Sequence, residues 1–409
     1  MNPGHGGGPP YADRFATHPD PSIMSTTNPY ESETREDFKV GFSHRLVFTR
    51  EVLAGTNPLL DQLLRSPEDT PRPGMVAVID AGLATASPDL VSDLTARLDS
   101  PHLPELRDTV IVPGGETAKN DPAVVDAILA AIERCRIDRR SHLAVFGGGA
   151  VIDAAGFAAS TAHRGVRLIR FASTVLAQLD AAIGVKNGVN RFGKKNFIGC
   201  FDVPTAVICD EAMLETLDDR DWRSGFSEAV KIACLKDAPF FEVIERDAER
   251  IRDRDPEAAR PVIRRCAELH LQHITRGGDP FERAEARPLD FGHWAAHRLE
   301  SITDFQTTHG EAVSIGIAVD TVYAALEGRL ASSEADRVVS TLQRLGLPIH
   351  HEALHGDRIL DGLEEFREHL GGRLTVTLLD AVGAPVDVHQ MDPALVRRAV
   401  DRLAVLERD

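Results

Sequence analysis

Apolar and polar positions follow two different rhythms along this chain. From about residue 37 to 213 the apolar residues come in short runs, MVAVIDAGL (75–83), TVIVPGG (109–115), HLAVFGGG (142–149), VRLIRFAS (166–173) and TAVICD (205–210), each the length of a strand. Between them PDLVSDLTARLDS, DPAVVDAILAAIERCRI and AVIDAAGFAASTA carry the longer spacing of helices. This alternation predicts a parallel sheet covered by helices. FKVGFSHRLVFT (38–49) alternates residue by residue and predicts paired strands. After Leu214 the pattern becomes helical in DRDWRSGFSEAVKIACL, PVIRRCAELHLQHI, DFGHWAAHRLESI, EAVSIGIAVDTVYAALEGRL and EADRVVSTLQRLG, with one late strand, RLTVTLL. Residues 1–36 are rich in Gly, Pro, Ser and Thr and predict a mobile tail. The expected organisation is a tail (1–36), a Rossmann-like α/β dinucleotide-binding domain (37–213) and an α-helical metal- and substrate-binding domain (214–409). No internal repeat is visible.

Composition narrows the partners. The 409 residues carry a formal net charge of −17, which argues against general binding to nucleic acid or an anionic membrane. A phosphorylated small molecule stays possible, given a local basic pocket. Five cysteines, with no Cys-x-x-Cys, suit reduced thiols and offer no zinc ribbon. There is no signal-like start and no apolar run of 18 residues, so a cytoplasmic protein is expected.

Several stretches carry candidate chemistry. VFGGGAVID sets Gly147, Gly148 and Gly149 between a strand and a helix, where backbone can approach a pyrophosphate. PGGETAKN is a second glycine turn; Glu116 there could hold ribose hydroxyls, with Lys119 beside it. RFASTVLAQLDAAIGVKNGVNRFGKKNFIG gathers Asp180, Lys186, Asn187, Asn190, Lys194, Lys195 and Asn196 in an apolar frame, which suits a polyanion or polyol, or else a solvated loop. SGFSEAVK sets Glu228 and Lys231 three apart on a helix, a spacing that usually marks a surface ion pair. FGHWAAH places His293 and His297 on one helix face, and His309 opens the apolar stretch of TTHGEAVSIGIA. Glu228, His309 and one histidine of FGHWAAH would make a two-nitrogen, one-carboxylate zinc set with an open position. HHEALH offers a rival pair, His351 and His355, in what reads as an exposed loop.

GGGAVIDAAGFAA, HRGVRLIRFASTVLAQLDAAIGVKNGVN with GKKNFIG, GFSEAVK, FGHWAAH and HGEAV, in this order, resemble the sugar phosphate cyclase superfamily, whose best-known member is 3-dehydroquinate synthase. The likeness runs from about Val76 to Leu379. Iron- or zinc-dependent polyol dehydrogenases are similar in fold and less so in motif. The resemblance implies tightly bound NAD and a catalytic Zn²⁺, with Co²⁺ as an alternative, between two domains. It implies Glu228, His293 and His309 as metal ligands, and His297 near the phosphate and the proton transfers. Lys186, Asn196 and Lys231 match groups around the substrate and its phosphate. Arg164 matches an arginine contributed across a homodimer interface. Asp180 and Lys195 match the nicotinamide and substrate neighbourhood. Asp80, Glu116, Lys119, Gly148, Gly149, Asp153, Ser173 and Thr174 match the cofactor side, which Lys186 also borders.

Departures from the dehydroquinate synthase pattern point to the substrate. His270 stands where those enzymes carry a lysine, Asp290 where they carry an asparagine, and Arg287 is shifted by one place. These changes make the site hostile to a carboxylate and receptive to a hydroxyl. RPLDFGH resembles the C7-cyclitol synthases, which cyclise sedoheptulose 7-phosphate to 2-epi-5-epi-valiolone or 2-epi-valiolone. His297 is more like dehydroquinate synthase, which favours a neighbouring subgroup such as 2-epi-valiolone synthase or the EboD-like cyclases. Arg367 aligns loosely with a late phosphate-binding lysine. The implied activity is that of a carbon–oxygen lyase acting on a sugar phosphate: transient oxidation by NAD, β-elimination of phosphate, reduction and intramolecular aldol. Three alternatives stay open: a 3-dehydroquinate synthase, a zinc-dependent polyol dehydrogenase, and a non-catalytic NAD- or sugar-phosphate-binding protein.

Overall fold

The computed structural model describes residues 34–67, 70–277, 280–281, 289–369 and 372–407. The expected tail through residue 33, and Arg287, lie outside them. Residues 34–42 belong to a separate unit without helix or strand; residues 43–407 are described below as one compact unit.

In its first half, strands and helices alternate. β1 (Leu46–Thr49) and α1 (Leu59–Leu64) lead to β2 (Gly74–Asp80); α2 (Ala81–Ala86) and α3 (Leu90–Leu98) lead to β3 (Glu105–Val112). α4 (Thr117–Asn120) and α5 (Pro122–Arg134) precede β4 (His142–Gly147), and α6 (Gly149–Thr161) precedes β5 (Arg167–Ala172). A π-helical turn, Ala177–Ala181, then a hairpin of β6 (Lys186–Arg191) and β7 (Lys194–Phe201), come before β8 (Ala206–Asp210). Six of these strands form one sheet in the order β1-β8-β5-β4-β2-β3, parallel throughout. Period-two alternation divides each central strand between two cores. Val76, Val78, Leu143 and Val145 face one core, while Met75, Ala77, Ile79, Ala144 and Phe146 face the other. β2 connects outward to β3, and the chain then returns to β4 on its other side, so the direction reverses between the carboxyl ends of β2 and β4. That is where α/β sheets place their ligand crevices.

The second half is helical. α7 (Asp219–Ser224), α8 (Phe226–Lys236), α9 (Ala238–Arg252) and α10 (Pro256–Arg276) precede α11 (His293–Ile302) and α12 (His309–Leu326). α13 (Ser332–Arg344), α14 (Asp361–His369), a hairpin of β9 (Val376–Ala381) and β10 (Ala384–Val388), and α15 (Pro393–Leu406) follow. α12 is buried on every side from Gly310 to Ala324 apart from Glu311. It packs against α11 at contact distance because two glycines oppose each other. A Cβ on Gly316 would lie 1.9 Å from the Gly292 carbonyl oxygen, and Gly292 takes the left-handed φ of 79°. No described helix is long and apolar enough to cross a membrane.

Four sequence expectations need correction. Of residues 38–49, only Leu46–Thr49 form a strand, and it pairs in parallel with β8 rather than with a neighbouring strand. The polar, glycine-bearing stretch after Asp180 is a two-stranded hairpin, not a loop. DRDWRSGFSEAVKIACL is two helices, broken at Gly225, where a Cβ would meet the Leu176 backbone nitrogen at 2.4 Å. The late strand RLTVTLL has a partner, β10.

Candidate active site

Three helices begin at the same place. His293 is the first residue of α11, His309 the first of α12, and Glu228 lies in the first turn of α8. One ligand atom from each falls within 4.8 Å of the others. The Nε2 atoms of both histidines lie 3.8 Å from Glu228 Oε1. Their Nδ1 atoms face acceptors on the other side, the Phe291 carbonyl at 3.1 Å for His293 and Glu300 Oε2 at 3.3 Å for His309. Each imidazole therefore donates from Nδ1 and turns its Nε2 lone pair toward one carboxylate oxygen. That oxygen, Glu228 Oε1, is buried and has no hydrogen-bond partner. Two ring nitrogens facing an orphaned carboxylate oxygen fit a divalent cation of the zinc type.

Electrostatics agree with this reading. Burial pushes the Glu228 carboxyl up, opposed by Lys231 and reinforced by Asp180. Burial, then Lys231 and the two neighbouring histidines, pushes His293 well below the imidazole range, so it is neutral. Burial opposes the charge on His309, but Glu300 outweighs it and raises the group. The Glu228–Lys231 pair is not at the surface: Lys231 Nζ sits 2.5 Å from Glu228 Oε2, and both side chains are almost wholly buried. Burial opposes the Lys231 cation, yet Glu228 and Asp180 overcome it and hold the amine protonated, with Asp290 adding to the effect.

FGHWAAH delivers both its histidines to this centre. The His297 ring lies 5.4 Å from that of His293 and 6.2 Å from that of His309. Asp320 on α12 fixes the start of α11, accepting from Gly292 N at 2.9 Å and from Trp294 Nε1 at 2.8 Å. Asp290 takes part through its carbonyl, which accepts from His293 N at 2.9 Å. Asp180, in the π-helical turn, pairs with His270 of α10 at 3.0 Å. Burial opposes the Asp180 charge, but His270 and Lys231 hold its carboxyl far below the usual range.

A second cluster borders the first. Lys195 Nζ on β7 lies 2.6 Å from Glu300 Oε1 and 3.1 Å from Glu116 Oε1. Asn190 Nδ2 donates to Glu116 Oε2 at 2.8 Å. Lys119 is buried, pairs with Asp153 at 2.6 Å and donates to Asn196 Oδ1 in a short hydrogen bond. PGGETAKN is therefore docked on the hairpin rather than standing free. Asn196 is engaged with Lys119 and Asn190 rather than with Lys231.

The third group lies along the strand ends. Asp80 closes β2 and caps α2, accepting from Gly82 N at 2.7 Å. Gly147 ends β4, and Gly148 caps α6 next to the Thr174 side chain. Ser173 N donates to the Gly147 carbonyl at 3.0 Å. Gly149 opens α6 opposite Ala181, and Lys186 begins β6 with its side chain exposed. Two residues stand apart. Arg164 lies on an exposed turn with φ 64°, and Arg367 on α14 is exposed and paired with Glu364. In HHEALH, His355 meets His350 at 3.0 Å and Asp401 at 3.3 Å in an exposed setting, and among the described residues it forms no three-ligand group.

Sequence reasoning missed Glu300 and Arg170. Glu300 lies seven residues after His293 and three after His297, on the same helix face, so the spacing was there to read. Arg170, wholly buried, donates to the carbonyls of Ala182 at 2.8 Å and Gly184 at 2.6 Å and to Asn187 Oδ1 at 2.8 Å, bracing the root of the hairpin. It occupies an inward position of β5, where the alternation calls for an apolar residue.

Comparisons with known proteins identify the family and the fold. Residues 109–224 match the family model for the 3-dehydroquinate synthase N-terminal region, and residues 225–367 the model for its C-terminal region. The chain is 32% identical to a 3-dehydroquinate synthase of Nocardia farcinica over 72% of this chain and 78% of that protein. Its structure is similar to 2-epi-5-epi-valiolone synthase from Streptomyces hygroscopicus, solved with NAD⁺ and Zn²⁺, at 28% identity and TM-score 0.82 over 92% of this chain and 100% of the other. It shares the fold of a 2-deoxy-scyllo-inosose synthase solved with NAD⁺ and Co²⁺, at 21% identity and TM-score 0.73 over 87% and 96% of the two chains. With both halves of the family model matched in order, the chain belongs to the 3-dehydroquinate synthase family of sugar phosphate cyclases.

Proposed function

We propose that this protein is a cytoplasmic homodimeric cyclase that converts sedoheptulose 7-phosphate to a C7 cyclitol, 2-epi-valiolone or 2-epi-5-epi-valiolone, with loss of phosphate. The observation that carries the reading is the pairing of His270 with Asp180 at 3.0 Å. His270 stands where the dehydroquinate synthase pattern carries a lysine, and Asp290 where it carries a neutral amide. A substrate carboxylate at that end would find His270 already engaged and Asp290 repelling it; a hydroxymethyl group meets acceptors. Similarity to the valiolone synthase supports the same choice.

NAD along the strand ends, and Zn²⁺ or Co²⁺ held by Glu228, His293 and His309, would supply hydride acceptance and return and would polarise the carbinol oxygen. The chain's own residues do the rest. Lys231, Asn196 and His297, with Arg164 of the partner subunit, would hold the phosphate as it leaves. Arg287 and Arg367 would extend this binding end. Asp180, His270 and Asp290 would accept from substrate hydroxyls. Lys186 and Lys195 would offset the negative charge that develops on oxygen during elimination and ring closure. Asp80, Glu116, Lys119, Gly148, Gly149, Asp153, Ser173 and Thr174 would form the cofactor side. In this reading residues 37–213 serve the cofactor and residues 214–409 the metal.

A second reading, 3-dehydroquinate synthase, is favoured by the names of the curated relatives. The two separate in one experiment. Purified protein with NAD and Zn²⁺ receives either sedoheptulose 7-phosphate or 3-deoxy-arabino-heptulosonate 7-phosphate; phosphate release is followed and the product identified by NMR. We expect release from the first only. Release from the second only would overturn the proposal in favour of dehydroquinate synthesis, and net NADH accumulation would point to a polyol dehydrogenase. Bound zinc with no turnover would point to a non-catalytic binding protein.

A further inference from the structure

Glu300 touches both His309 of the proposed metal set and Lys195 of the hairpin. It is 1% exposed, and its two carboxylate oxygens point in different directions. Oε2 accepts from His309 Nδ1 at 3.3 Å, on the far side of the imidazole from Glu228. Oε1 meets Lys195 Nζ at 2.6 Å. His293 has only a neutral carbonyl in the equivalent place. The contact with Lys195 has a second support: Asp304 and Phe305 both take left-handed φ values, 48° and 60°, in the turn between α11 and α12. That costly backbone sets the Phe305 ring 5.4 Å from Lys195 Nζ. Strain of this kind persists where the surroundings impose it, and here it closes a seat around one lysine.

We propose that Glu300 is a positioning residue that couples the metal centre to the β6–β7 hairpin, orienting His309 with one oxygen and holding Lys195 over the site with the other. The inference rests on the reading of Glu228, His293 and His309 as metal ligands, and not on the identity of the substrate. Ordering of His309 by a bound ion fixes Glu300 and, through it, Lys195. Lys195 then carries the order into the hairpin and, through Glu116, into the turn before α4.

The test uses Zn²⁺ and Co²⁺ alone as probes on the full chain. Metal affinity is measured by chelator competition, the Co²⁺ visible spectrum is recorded, and amide hydrogen exchange across residues 186–201 is followed with and without Zn²⁺. In the wild type we expect Zn²⁺ to slow hairpin exchange on the order of tenfold. In Glu300→Gln we expect affinity to fall about ten- to a hundredfold, the Co²⁺ spectrum to shift, and the slowing to vanish. Lys195→Met keeps Glu300 and cuts the link, so it should bind metal with affinity within about tenfold of wild type yet lose the slowing. Wild-type affinity and spectrum in Glu300→Gln, or Zn²⁺-dependent slowing retained in Lys195→Met, would overturn the coupling while leaving the metal site standing. Failure of the wild type itself to bind either ion would overturn both. Should Glu300→Gln not fold, Lys195→Met decides the matter alone.

Discussion

At the residue scale the centre depends on a few side chains whose charge states are set by burial and by one another. On the proposed ligand set, replacing His293 or Glu228 by alanine leaves two protein ligands, and zinc affinity measured by chelator competition should fall by at least about a hundredfold. On the same ligand set, proton and metal compete for His309. Glu300 raises the basicity of that histidine, so affinity should decline as pH falls through a value above the ordinary imidazole range, by about tenfold per unit below it. Asp320 works in the opposite sense. Burial pushes its carboxyl up to about 7. The folded state thus keeps a proton that the unfolded chain releases near pH 4, so this group's contribution to stability is full below that value and is lost as pH rises toward 7. The loss amounts to at most about 4 kcal/mol. Denaturant unfolding of wild type and Asp320→Asn across that window should show the stability difference moving in favour of the asparagine variant as pH rises. Much of this centre was legible: a His-x-x-x-His pair, a carboxylate in a helical segment and a histidine opening another. That they converge was not legible, because it depends on how α8, α11 and α12 cross.

At the element scale, two close approaches set the geometry. Gly316 lets α12 meet the start of α11, and Gly316→Ala would drive a methyl into the Gly292 carbonyl. We expect a loss of about 1–3 kcal/mol by thermal or denaturant unfolding, accompanied by weaker zinc binding because His293 follows Gly292 directly. The alternation of residues 38–45 failed to give a strand because a strand needs an edge to pair with. The free edge of β8 takes residues only from Leu46↔Val207 to Thr49↔Asp210. The hairpin hid for the opposite reason. Its phenylalanines Phe192, Phe197 and Phe201 are exposed and its polar residues Asn187 and Asn190 are buried, which inverts the usual signal. The Asn187 oxygen accepts from Arg170, and the Asn190 amide donates to Glu116 and Asn120, partners distant in sequence that no local pattern reveals.

For the whole molecule, the sheet order explains why three separated stretches meet. Asp80 and Gly147 end β2 and β4 at the point of reversal, and PGGETAKN follows β3 beside them. Alternation of strands and helices was enough to expect such a sheet, but not which strand ends would be neighbours. The dimer proposal has its own consequence. If Arg164 serves the neighbouring site, Arg164→Ala and Lys231→Ala should each be nearly inactive alone. Mixed and reassociated, they should recover about one quarter of wild-type phosphate release, since half the dimers would hold one intact site. No recovery in a preparation shown to contain mixed dimers would assign Arg164 to its own subunit or to no site. Finally, Glu228, His293 and His309 all sit in the opening turn of their helices. Past Lys236, Ile302 and Leu326 the chain can acquire new surface without moving these three side chains, whereas one residue gained or lost just before any of them would rotate that side chain out of the centre. Tolerance to insertion in this half of the protein should therefore be directional, greatest past the C-terminal ends of these helices and nearly absent just before each of the three residues or between it and Lys231, Glu300 or Asp320.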